Sequence, residues 1–233
     1  MFFIYLSIEQ KRNYANHEKI AYDYNNIKKK FKTGDIIMFS YGRYRSLLEE
    51  LGYLSRTKLF GTIYGHIGIV LREGNKLYLI ECTSSNHTAK KYAYTLNNEN
   101  RGGVRIIDLD ILIREYHDEE KGIFAVKFAD KEIPNKLIMC VLEKYGNVIF
   151  ENIPKIALFV VANFISNKFS KKLAKTADNN RMTCSEFAYE LLYQCGYVEK
   201  YQSKLIWPHL FSNGQFDKLT KIKYSKPIGF IYK

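Results

Sequence analysis

Three residues have types and surroundings that could do chemistry together: Cys184 as a nucleophile, His66 as its base and Glu81 as the group that orients the imidazole. Cys184 lies in Thr183-Cys-Ser-Glu186, a threonine followed three residues later by a glutamate just ahead of an amphipathic run. That is a capping box, and it predicts a helix with Cys184 at its first position. There the unpaired backbone N–H groups and the helix dipole favour an anion, so the thiolate is stabilised. Phe187, Ala188, Leu191, Leu192 and Cys195 continue at three-four spacing as far as Gly196, so the helix should bury one face and hold its N-terminus rigidly. The bland alternative for Cys184 is an inert thiol buried on that same stripe.

His66 sits in Tyr64-Gly-His-Ile-Gly-Ile-Val-Leu71, an apolar run that reads as a strand. By alternation His66 shares a face with Tyr64, Gly68 and Val70, while Ile67, Ile69 and Leu71 line the other. Gly68 would leave room above the sheet for a helix to approach. Alone, a histidine in a strand is more often a satisfied structural residue than a catalyst. Glu81 and Cys82 end the next strand, beginning at Leu77, after the turn Arg72-Glu-Gly-Asn-Lys76. If the connecting loop has an even number of residues, His66 and Glu81 fall on one face, opposite each other or two positions apart. A carboxylate there accepts the imidazole N–H, fixes its tautomer and stabilises the imidazolium. Cys82 then points into the core.

The elements that must position these residues read as strands first and helices later, an α+β arrangement. Residues 8 to 32 form a polar, helix-permissive segment with Ile20, Tyr24, Ile27 and Phe31 as one narrow apolar stripe, so 1–31 reads as a helical extension and 32–233 as the catalytic domain. A turn at Lys32–Asp35 leads into a buried strand Ile36–Phe39; residues 40 to 62 read as an insertion. Val104–Ile107 and Ile123–Phe128 are further strands. Helices are expected around Leu137–Leu142, over Ile156–Phe169 and from Cys184, with Lys226–Tyr232 returning as an edge strand.

Among the 233 residues, 46% are hydrophobic and 15% aromatic, enough for one sizeable core and too much for a disordered chain. The net charge of +12 includes two runs, Lys28, Lys29, Lys30 and Lys32, and Lys168, Lys171, Lys172 and Lys175. Such runs attract phosphate-bearing partners or are solvated ends of elements. No zinc finger or RNA-recognition motif accompanies them, so nucleic acid is not the expected partner. Cys82, Cys140, Cys184 and Cys195 are too widely spaced for a disulfide framework and point to a reducing, intracellular and cytoplasmic setting. Cys82, Cys140 and Cys195 occupy apolar patterns and are expected to be buried. Met1–Ile8 lacks the basic flank and cleavage site of a signal peptide, and the apolar stretch Ile156–Ile165 is half the length of a membrane span.

Gly34-Asp-Ile-Ile-Met-Phe39, then Gly65-His-Ile-Gly-Ile-Val70, then Leu79-Ile-Glu81 and, much later, Thr183-Cys-Ser-Glu-Phe187 resemble the circularly permuted branch of the NlpC-type papain-like superfamily. That branch includes YiiX-like proteins, a poxvirus group and the lecithin:retinol acyltransferase-like enzymes. Its order is His, then a polar or acidic residue, then Cys, and the likeness spans roughly residues 32 to 212, including Leu205-Ile-Trp-Pro208. The resemblance implies a circularly permuted papain-like fold with an antiparallel sheet packed on the nucleophile helix. The long N-terminal segment and the extra apolar stretch between Phe128 and Cys184 depart from the pattern. The richness in Lys, Asn, Ile and Tyr is similar to that of proteins from AT-rich large DNA viruses.

The expected activity is a thiol hydrolase or acyltransferase acting on an amide or ester through an acyl-enzyme, with Cys184, His66 and Glu81 as the triad. The backbone N–H of Cys184 is one oxyanion donor, and Tyr41 or Tyr64 is a candidate for the second. The resemblance divides substrates between peptide-like amides and lipid acyl groups. Ile156–Ile165 followed by the second lysine run would suit a helix on an anionic membrane surface, although a buried core helix has the same pattern. A catalytically silent module that binds lipid head groups or nucleic acid is the second class. A zinc site from His66, Cys82, His87 or Cys184 lacks ligand-like spacing, and no cofactor is implied.

Overall fold

The computed structural model describes residues 15–40, 57–58, 60–84, 93–95, 102–151, 155–156 and 180–232. Its strands are β1 (Tyr22–Asp23), β2 (Ile36–Ser40), β3 (His66–Glu73), β4 (Lys76–Thr83), β5 (Ala93–Thr95), β6 (Gly103–Asp108), β7 (Ile123–Lys127), β8 (Ile149–Phe150), β9 (Arg181–Met182) and β10 (Ile228–Ile231). Among the described residues the main sheet runs β1-β10-β7-β2-β3-β4-β6-β5, antiparallel at every pairing except β1 with β10, and β8 and β9 form a separate parallel pair. The helices used below are α1 (Leu109–Glu120), α2 (Asn135–Leu142), α3 (Cys184–Gln194) and α4 (Pro208–Ser212). The architecture is α+β with a mostly antiparallel sheet.

Alternation along the strands sends apolar side chains to two cores. On one face Ile36, Met38, Ile67, Ile69, Ile80, Cys82 and Ala125 pack with Ile138 and Leu142 of α2 and with Phe187, Ala188, Leu191 and Leu192 of α3. On the other, Ile37, Phe39, Val70, Leu79, Ile107 and Phe124 pack with Leu112, Ile113 and Tyr116 of α1. Helix α1 was not expected from the sequence. Its signals are Asp108, whose carboxylate accepts the Ile111 N–H at 3.1 Å as an N-cap, and the spacing of Leu109, Leu112, Ile113 and Tyr116. It interrupts the strands-then-helices order.

The β3–β4 hairpin is the element on which the site depends. Glu73 pairs with Lys76, leaving Gly74-Asn75 as a two-residue turn, with Gly74 at φ 59° in the left-handed region such turns require. Gly68 does not open space for a helix: a Cβ there would lie 2.6 Å from the Leu79 side chain, so the neighbouring strand fills the gap.

The N-terminal stripe is a correction. Residues 15–20 are helical, but β1 breaks the segment before a short helical turn at Tyr24–Ile27, and Ile20 is 79% exposed. Tyr24, Ile27 and Phe31 instead enter the second core, next to Phe230. No single helix is needed to bury them, because parallel pairing of β1 with β10 brings them there. The same pairing makes β10 an inner strand where an edge was expected. Lys29 and Lys30 are exposed, and Lys28 Nζ lies 3.4 Å from Asp110. Residues 157–165, Lys168–Lys175, Met1–Ile8, Tyr41 and His87 fall outside the described residues. Among those described, no helix is long and apolar enough to cross a membrane.

Candidate active site

His66 is the first residue of β3 and Glu81 lies near the end of β4. Ile69 pairs with Ile80, and continuing that register sets Gly68 opposite Glu81 and His66 opposite Thr83. The two side chains therefore share a face, two positions apart. The imidazole Nε2–H donates to Glu81 Oε2, and both groups are buried.

Arg105 was not singled out from the sequence. It stands on β6 directly across from Glu81, and its Nε donates to Glu81 Oε1 at 2.6 Å while Nη2 lies 2.5 Å from the same oxygen. The guanidinium thus occupies one carboxylate oxygen and leaves the other to His66. The available signal was a charged residue inside the apolar run Val104–Ile107, since a buried charge must find a partner. Among its described contacts His66 also lies beside the Phe39 ring, centroid to centroid 5.6 Å.

Cys184 is the first residue of α3, as the capping box requires: Thr183 Oγ1 accepts the Glu186 N–H at 3.3 Å, and Glu186 reaches back to the Thr183 N–H at 3.4 Å. Lys204 Nζ holds the same carboxylate at 3.0 Å and Ser203 Oγ donates to it at 3.2 Å. Burial pushes the Glu186 carboxyl up to about 7, against the opposing pull of Lys204, Thr183 and Ser203. These bonds tie the Glu186 carboxylate to Thr183, Lys204 and Ser203. Ser185 Oγ donates to the Ile206 carbonyl at 2.7 Å, which fastens Leu205-Ile-Trp-Pro208 to the same helix start.

Thiol and imidazole arrive from different sides. The apolar residues of α3 pack on the Ile67 and Ile69 face, whereas His66, Glu81 and Arg105 belong by alternation to the Phe39 and Val70 face. They meet because each sits at the extreme end of its element: the Cys184 Sγ–H points at the Gly65 carbonyl, 3.9 Å away, and Gly65 immediately precedes His66. Burial by itself opposes charge on the imidazole, yet the Glu81 carboxylate and a hydrogen-bonded Cys184 outweigh it and raise His66 well above its ordinary value, to about 10. The arrangement is that of a charged imidazole between the Cys184 sulfur and the Glu81 carboxylate.

One expectation about the thiols changes. Cys140 is exposed on α2, since Ile138, Val141 and Leu142 make the buried stripe and Cys140 falls outside it. Cys184 is only 5% exposed and His66 6%, so an open cleft around the thiol is not present among the described residues. Cys82 behaves as expected, buried on the opposite face with Sγ 3.5 Å from the Met182 carbonyl, and burial drives its thiol well above the ordinary range. Cys195 is likewise core, its thiol raised to about 11 by burial. Tyr64 is half-buried, and burial raises its phenol to about 12, so it remains a neutral hydroxyl.

An α+β protein with a Cys-His-Glu chain at a helix start is the class that fold and site define. The chain belongs to a family shared with "Uncharacterized protein R372" of Acanthamoeba polyphaga mimivirus, to which it is 38% identical over 214 residues. That likeness covers 90% of this chain and 86% of the relative. No family model matches the chain.

Proposed function

We propose that the protein is a thiol-dependent hydrolase or acyltransferase that acts on an amide or ester through Cys184, His66 and Glu81. The observation that carries this reading is that Glu81 bonds the His66 imidazole while Cys184, at the start of a helix far away in sequence, brings its sulfur against the Gly65 carbonyl and His66. The Cys184 thiolate attacks the substrate carbonyl carbon, forming a C–S bond while the C=O π pair moves onto oxygen. Collapse of that intermediate expels the amine or alcohol, which takes a proton from the His66 imidazolium. Water or an acceptor alcohol or amine then attacks the thioester, giving up its proton to the now neutral His66, and collapse of the second intermediate breaks the C–S bond and returns its electron pair to the Cys184 sulfur. Glu81 keeps the imidazole in one tautomer and stabilises its charged form.

The order His66, Glu81, Cys184 along the chain supports a circularly permuted papain-like fold, with the sheet packed on the nucleophile helix. Within that resemblance the substrate is a peptide-like amide or a lipid acyl group. The test is a screen of acyl lipids, peptide amides and isopeptides against wild type, Cys184→Ala and His66→Ala. Turnover by wild type that both variants abolish supports the reading. Turnover that survives Cys184→Ala, or none with any of the three substrate classes, overturns it in favour of a binding module.

A further inference from the structure

We infer that Ser40 supplies the second hydrogen bond of the oxyanion hole, opposite the backbone N–H of Cys184; the inference rests on the acyl-transfer reading above. Ser40 is the last residue of β2, and β2 pairs with β3 so that Phe39 faces His66. The ladder ends there: the Gly65 N–H donates to the Phe39 carbonyl at 2.9 Å, one residue out of that register, so Gly65 and His66 lie together opposite Phe39 and Ser40 is the next residue along β2. Gly65 is the residue whose carbonyl meets the Cys184 thiol. By alternation with Ile36 and Met38, Ser40 presents its side chain to the face on which α3 packs, the face from which Cys184 comes.

The hydroxyl at this place is buried and has no hydrogen-bond partner among the described residues. A buried hydroxyl left unpaired is unfavourable, so such a group is rare unless something else engages it. The start of α3 offers the complementary half of the site. The Cys184 N–H belongs to the first turn, where backbone donors have no partner within the helix. A tetrahedral intermediate formed on Cys184 sulfur carries its negative oxygen within reach of that N–H, and Ser40 is the donor on the neighbouring strand that could meet the oxygen from the other side. Among the described residues neither donor has a competing bond to shed as charge develops, which is the condition under which such bonds act most strongly on the transition state.

The role separates cleanly from a structural one. Ser40→Ala removes a hydroxyl that bonds nothing among the described residues, so thermal stability should hold or rise slightly. Acylation should nevertheless slow by about 10²–10³-fold, the usual loss for one oxyanion donor. Alkylation of Cys184 by iodoacetamide displaces iodide from a CH₂ group and builds no oxyanion, so its rate should not change. The experiment measures the p-nitrophenolate burst from p-nitrophenyl esters of short and long acyl chains, with Tm and alkylation recorded on the same samples. Ser40→Thr keeps a hydroxyl on a side chain suited to a strand and should stay within about tenfold of wild type. A Ser40→Ala burst as fast as wild type, or a loss of rate matched by a fall in Tm and in alkylation, overturns the role of Ser40 and leaves the Cys184 reading standing. No burst from wild type on any ester overturns both.

Discussion

The two oxygens of Glu81 serve two partners. Arg105 holds Oε1 in a forked contact and His66 takes Oε2, all in surroundings closed to water. Removing one member of a buried ionic set leaves the others uncompensated, so Arg105→Met should lower unfolding free energy by roughly 3–5 kcal/mol in a urea titration. A change under about 1 kcal/mol would mean that Glu81 does not depend on the guanidinium. The imidazolium gives a pH signature. Since folding raises the His66 pKa, its charge contributes fully to stability below the ordinary value of 6.5 and that contribution fades as pH rises through the folded value. Stability should therefore decline on the alkaline side, and less so in Glu81→Gln. NMR should show the His66 ring titrating well above 6.5 in the wild type and lower in Cys184→Ala; a wild-type value at or below 6.5 would contradict the ion pair. Thiol labelling for any of these tests belongs in a Cys140→Ser background, because Cys140 is the exposed thiol and would mask the site.

Helix α3 and the β3–β4 hairpin are the elements that turn separate residues into a site. The hairpin turn fixes register, and register alone determines whether His66 sees Glu81. Helix α3 fixes the thiol through its first turn, where Thr183, Glu186, Lys204 and Ser203 form one bonded group. Thr183→Ala removes the cap and should lower stability by about 1 kcal/mol. It should also slow alkylation of Cys184, since a frayed first turn no longer holds the sulfur against Gly65 and His66. An alkylation rate unchanged despite the lost stability would show that packing of Phe187, Ala188 and Leu191 positions the helix start without help from the cap.

At the scale of the molecule, the sheet divides the described residues into two packed layers, with α2 and α3 on one side and α1 with the N-terminal segment on the other. Phe31 joins that second layer to β10 through Phe230, 5.7 Å between ring centroids, and Tyr24 stacks on the same ring at 5.8 Å. Residues 22–31 thus complete the layer under the strands that carry the site. Phe31→Ala should cost about 3–5 kcal/mol, and a truncated chain beginning at residue 32 should lose cooperative unfolding. If the truncated chain unfolds as sharply as the whole, the segment is an addition to an independent domain. On the opposite layer, buried Lys127 ties β7 to the C-terminal region, bonding Asp217 and the Phe211 carbonyl at 3.1 Å.

Local chemistry made much of the site legible in advance. Thr183-Cys-Ser-Glu186 specifies a helix start because the capping bonds join residues three apart, and Glu73-Gly-Asn-Lys76 specifies a hairpin because its turn needs a residue free to adopt positive φ. Together they give Cys184, His66, Glu81 and the face on which Cys82 is buried. Arg105 could not be assigned that way, since its partner is 24 residues distant and is set by the register of β6 against β4. Nor could the meeting of thiol and imidazole from opposite faces of the sheet, which follows from where two elements end in space. The stripe of Tyr24, Ile27 and Phe31 and the exposure of Cys140 show the same division. A period of apolar residues states which side chains seek burial, but what buries them is decided by elements that only the folded chain brings near.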